Sequence, residues 1–202
     1  MLSKLVPAAA LAAAALLSMP ALAHEVVYVG TLSGAAEAPP NASPGTGPVR
    51  LTFDDHLNTM RLEFSFSGLL GTLTAAHIHG PTVDPMAGTA GVMTRTPTFT
   101  GTPLGVSAGS FDQTIDMTQA ASWNASFLNA APRNGDTALA FATLMTAVAD
   151  GKAYLNLHSS VIGSGEVRTF FTLAPVPEPS SYALMAAGLG LLAAVARQRR
   201  RV

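Results

Sequence analysis

Two segments near residue 50 alternate strictly with a period of two. Val49, Leu51 and Phe53 are separated by Arg50, Thr52 and Asp54, and Met60, Leu62, Phe64 and Phe66 by Arg61, Glu63, Ser65 and Ser67. Side chains on a strand point to opposite faces in turn, so this pattern demands half-buried strands and excludes helices there. The link Asp54-Asp55-His56-Leu57-Asn58-Thr59 is turn-like and predicts a hairpin. Further strands are expected over 26–32, 73–79, 109–117, 154–158 and 166–173. Residues 80–103, rich in Gly, Pro and Thr, read as loop. One helix is expected over 138–149: Asp136 or Thr137 caps it, Leu139, Leu144, Met145 and Val148 lie on neighbouring turns, and Gly151 stands where a terminating glycine belongs. Many short strands and one helix predict a mainly β fold, a Greek-key sandwich.

Composition narrows the chemistry. Charged residues make up 11% of the chain, less than half of the roughly 25% usual in soluble domains. There is no cysteine, so disulfides, thiol catalysis and thiolate metal sites are excluded. Residues 24–174 carry eleven acidic and six basic side chains, which gives no basic footprint for nucleic acid.

Both ends are apolar. Lys4 precedes the run Leu5–Leu17, and Ala21-Leu22-Ala23 follows Pro20. This is the layout of a secretory signal peptide over 1–23, with Ala21 and Ala23 forming the small-x-small cleavage site and His24 the first mature residue. At the other end a proline-rich linker over 175–181 contains Pro177-Glu178-Pro179. A charge-free stretch from Tyr182 to Ala196 then runs into Arg197, Arg199, Arg200 and Arg201. An apolar helix ended by arginines predicts a transmembrane anchor over 182–202 with its basic end in the cytoplasm. The organisation expected is therefore signal, domain (24–174), linker and anchor. This tail resembles the PEP-CTERM sorting signal. The resemblance implies an exosortase-type membrane transpeptidase as partner and attachment at the cell envelope or in an extracellular matrix, reached through a transient single-pass anchor.

Within the domain, His77-Ile78-His79 places two imidazoles on one strand face. Asn156 and His158, with Tyr154, share a face of a later strand by the same rule. His77, His79 and His158 can thus form a mononuclear copper or zinc site. The competing reading is structural, with the rings bonded to one another, to backbone, to Asn156 or to Glu166. Residues 80–157 contain no histidine, which excludes a dimetal site with further imidazoles from that loop. Glu166 and Arg168 are expected to pair with each other or with nearby groups. No nucleophile motif, phosphate loop or carboxylate pair can be nominated, so no catalytic residue is assigned. Asn41-Ala42-Ser43 and Asn124-Ala125-Ser126 match the glycosylation acceptor pattern.

Ala76-His77-Ile78-His79-Gly80, Tyr154-Leu155-Asn156-Leu157-His158-Ser159 and Gly165-Glu166-Val167-Arg168 resemble the signature blocks of the CHRD (chordin-type) domain. So does the opening Gly30-Thr31-Leu32-Ser33-Gly34 with Glu37, Pro39 and Pro40. Asn156, Glu166 and Arg168 are signature positions in that comparison. It implies an immunoglobulin-like sandwich related to copper/zinc superoxide dismutase, with no settled catalytic activity. Thr169 stands where the family usually has Gly. The function expected is a non-enzymatic binding or structural module of the envelope, with an extracellular polysaccharide or matrix protein as partner. The alternative is a metal-binding module.

Overall fold

The computed structural model describes residues 25–175 and 181–199. The eight strands are β1 (Glu25–Ser33), β2 (Thr46–Asp54), β3 (Thr59–Phe66), β4 (Leu73–His79), β5 (Gly109–Asp116), β6 (Tyr154–Ser159), β7 (Val167–Phe170) and β8 (Thr172–Leu173). The α-helices are α1 (Ala125–Asn129), α2 (Thr137–Ala149) and α3 (Ser181–Arg199). The fold is mainly β. All eight strands belong to one curled antiparallel sheet, ordered β4-β6-β7-β1-β2-β3-β5, with β8 paired to β1.

The expected hairpin forms because Asp54 accepts hydrogen bonds from the His56 and Leu57 amides, closing the turn into β3. Its register sets Leu51 opposite Leu62 and Val49 opposite Phe64, so the apolar sets of both strands fall on one face. Leu51, Phe53, Met60, Leu62, Phe64 and Phe66 are all buried. One cluster combines them with Ile78, Leu155, Leu157 and Val167 from β4, β6 and β7. The two halves of the sheet therefore share one core. They differ from two separate sheets in being joined along their edges, where Ser33 at the end of β1 pairs with Arg168 of β7.

The expected final strand breaks at Phe171, which is buried, and splits into β7 and β8. Thr169 fits because its partner surface is Gly30. A β-carbon there would come within 2.5 Å of the Thr169 hydroxyl. The missing side chain on β1 thus makes room for the one gained on β7.

Helix α2 is capped by Asp136, whose side chain accepts from the Leu139 amide, and it ends at Gly151 with φ +68. Its buried face is Ala140, Phe141, Leu144, Ala147 and Val148. Leu139 is not part of it, being 38% exposed, and Met145 is only partly buried. A second short helix, α1, follows Asn124, which accepts from the Ser126 and Phe127 amides. That asparagine is committed to capping.

The transmembrane helix expected over 182–202 corresponds to α3. No helix among the described residues is long and apolar enough to cross a membrane. The charge-free stretch of α3 ends at Ala196, because Arg197 and Arg199 occupy its last turn. That stretch is about 22 Å long at the helical rise, against a hydrocarbon core of about 30 Å. The signal helix, its cleavage residues Ala21, Ala23 and His24, and Pro177, Glu178, Pro179, Arg200 and Arg201 lie outside the described residues.

Candidate metal centre

Strand β4 sends Ile78 into the core and His77 and His79 to the opposite face. Strand β6 runs antiparallel beside it, with Asn156 opposite His77, Tyr154 opposite His79 and His158 opposite Ala75. Same-face residues on neighbouring strands meet, so the three imidazoles converge. Their ring centroids are 5.7 Å (His77–His79), 5.2 Å (His77–His158) and 5.8 Å (His79–His158) apart. One ring nitrogen from each lies within 4.8 Å of the other two.

Each ring is held by one backbone carbonyl. His77 Nε2 meets Pro97 O at 2.5 Å, His79 Nδ1 meets Ala90 O at 2.9 Å, and His158 Nδ1 meets Gly163 O at 3.0 Å. A carbonyl only accepts, so each of these nitrogens must carry the proton. The other nitrogens, His77 Nδ1, His79 Nε2 and His158 Nε2, then hold lone pairs. All three are buried and have no hydrogen-bond partner among the described residues.

Burial holds all three imidazoles below their ordinary pKa. For His79 the value falls to about 4, chiefly by desolvation, with the charges of His158, His77 and Arg168 adding to it. The rings are therefore neutral at neutral pH. Of the partners expected for a structural role, backbone is the one found: three carbonyls of the loops closing over this face, rather than the other rings, Asn156 or Glu166.

A second layer fixes the cluster from behind. Tyr154 stacks on His79, with centroids 5.1 Å apart and planes 9° apart. Its hydroxyl accepts from the Ala90 amide, so one residue of the covering loop is gripped by both rings. The Arg168 guanidinium lies 4.7 Å from the centroid of Tyr154 and 5.2 Å from that of Phe170. It donates to Ala36 O and Gly88 O and lies 3.9 Å from the Glu37 carboxylate. Burial pushes Glu37 up to about 7 even though Arg168 pulls it down.

Glu166 does not pair with Arg168. Its carboxylate is fully buried and accepts from Ser43 Oγ at 2.6 Å, Leu70 N at 2.6 Å and Gly71 N at 3.4 Å. Burial raises its pKa, but these bonds and one from Ser159 outweigh that and hold the group below its usual value. It ties loops together away from the imidazoles. Asn41 is committed too, donating to Glu166 O and accepting from Ser43 N. Asn156 is buried with its Oδ1 unpartnered among the described residues. Sequence reasoning missed the part played by Glu37 and which three carbonyls clamp the rings. Carbonyls carry no residue signature, so only the path of the loops could reveal them.

Fold and site together define a class: a mainly β domain whose outer sheet face carries clamped imidazoles under loops, followed by a helical tail ending in arginines. The chain belongs to the CHRD domain family, which matches residues 28–171. Residues 175–201 match the PEP-CTERM protein-sorting motif, which marks an exported protein sorted to the cell surface and processed by an exosortase-type system. No curated protein matches the chain.

Proposed function

We propose that this protein is a non-enzymatic, envelope-facing binding module that holds one metal ion, copper or zinc, through His77, His79 and His158. The observation that carries the reading is the set of three orphaned, buried nitrogens, one per imidazole, in a cluster where candidate ligand atoms lie within 4.8 Å of one another. Burying a polar atom without a partner is costly. A cation shared by three lone pairs removes that cost at all three positions. The carbonyl clamps fix tautomer and ring orientation, as outer partners of metal-bound histidines do. An extracellular polysaccharide or matrix protein is the second partner of this reading, which also takes the two halves of the curled sheet as the layers of a superoxide-dismutase-like Greek-key sandwich. On the tail, the reading is that α3 presents the Pro177-Glu178-Pro179 segment to the transpeptidase as a transient anchor.

Titration of the purified chain with Zn(II) and Cu(II) tests the central point. One ion per chain is expected, and a His77→Ala, His79→Ala double variant is expected to lose it. Equal affinity in both proteins would reduce the cluster to scaffolding that pins the covering loops.

A further inference from the structure

The charges around the cluster select among metals. We propose that the site takes a monovalent copper ion, Cu(I), in three-coordinate geometry, in preference to a divalent ion. This rests on the reading of the three imidazoles as a metal site and names the ion for it.

The ligand set carries no negative charge: among the described residues the group is His77, His79 and His158 alone, with no carboxylate. A zinc ion held by three imidazoles takes a fourth ligand; the clustered side chains supply none, so a water would have to be brought into the buried face. Three neutral nitrogens, by contrast, complete the coordination of Cu(I).

The surroundings are also positive. Arg168 packs over Tyr154, which stacks on His79, and the Arg168 charge bears on the His79 ring. The carboxylate closest in this arrangement, Glu37, is set against Arg168 rather than against the imidazoles. Burial magnifies the difference between ions. His77 is 7% exposed and His79 9%, and the desolvation cost of an ion rises with the square of its charge, so a dication pays about four times as much as a monocation. Imidazole nitrogen suits copper in kind.

His158 is the most open of the three, only half-buried, and sits beside the Gly163 turn that clamps it.

The test uses the full-length chain in detergent with oxygen excluded. Cu(I) is titrated in competition with bicinchoninate, and Zn(II) in competition with a zinc chelator. One Cu(I) per chain is expected, bound more tightly than Zn(II). X-ray absorption of the copper-loaded wild-type chain should show three nitrogen scatterers at about 2.0 Å and no sulfur. His158→Gln should lower Cu(I) affinity, and the wild-type spectrum stands whether or not that variant folds. Zinc binding as tight as copper, or tighter, overturns the choice of ion and leaves the three-imidazole reading standing. Sulfur in the copper spectrum places the ion on methionine and overturns it as well. Failure of both ions to bind the wild-type chain overturns this inference together with the reading beneath it.

Discussion

The two halves of the sheet bury themselves in different ways. In β2 and β3 exposed and buried positions alternate along the strand. In β6 and β7 nearly every position is buried, including Asn156, Thr169 and Arg168. The inner faces of both halves serve the same apolar core. The outer face of β2 and β3 meets solvent and carries ion pairs such as Arg61 with Asp112 and Glu63. The outer face of β4, β6 and β7 is roofed by loops and becomes a second, polar interior. A face covered in this way must satisfy its polar groups internally or through a ligand. Among the described residues it is left unfinished at one nitrogen of each of the three histidines, and at Asn156 Oδ1 and Glu37 Oε1.

The comparison breaks most visibly in the shared apolar core. Phe64→Ala removes a ring that stacks on Phe111 with centroids 5.1 Å apart. It is expected to cost about 3–5 kcal/mol in denaturant unfolding. An unchanged midpoint would mean that the strand phase is wrong.

On the roofed face, Arg168→Ala strips partners from Ala36 O and Gly88 O and leaves Glu37 buried without its neighbouring cation. The expected loss is about 3 kcal/mol. A cost near zero would show that the second interior contributes nothing to stability.

Acid sharpens the contrast further, because the roofed face carries the shifted groups. The three imidazoles have folded pKa values below the ordinary 6.5. The unfolded chain therefore binds more protons, and stability present above pH 6.5 is lost as pH falls towards the folded value, about 4 for His79. Glu37, raised to about 7, acts in the opposite sense: its stabilisation is present at low pH and lost as pH rises from its ordinary 4.5 to 7. Between pH 6.5 and 4.5 the contributions of His79 and Glu37 are similar in size and opposite in sign, so the metal-free chain should lose only the share set by His77 and His158, whose pKa values burial also lowers. Glu37→Gln, which removes the opposing group, should make that fall steeper in thermal unfolding measured across the range. A flat profile in Glu37→Gln would contradict the burial of the rings.

The smallest effect is expected outside both interiors. Leu139→Ala, on the exposed side of α2, should change stability by less than about 0.5 kcal/mol. A loss of 2 kcal/mol or more would restore Leu139 to the core.

The alternation in β2 and β3 was legible because a half-exposed strand writes its two environments into alternate residues. The placing of His77 and His79 on one face, away from Ile78, followed from the same period. The helix was legible in extent but not in phase. Ala140, Phe141 and Ala147 pack inward, while Leu139 turns outward, because small side chains let the helix come close to the sheet. Helix α1 was missed: five residues are too few for a periodic signal, and its cap Asn124 reads equally well as a glycosylation acceptor.

By itself the sequence determined the strands, their inward faces, the shared face of the histidine pair and the sorting tail that follows the domain, since each is a local pattern in the chain. Only the tertiary structure decided that the strands join into one curled sheet, that Gly30 yields its space to Thr169, and that Glu166 serves the loops near residues 43 and 70 while Arg168 serves those near 36 and 88. It alone brought three backbone carbonyls onto three imidazoles and left their remaining nitrogens buried without a partner among the described residues. Those contacts run through main-chain atoms that every residue shares, and such atoms leave no trace in the order of side chains.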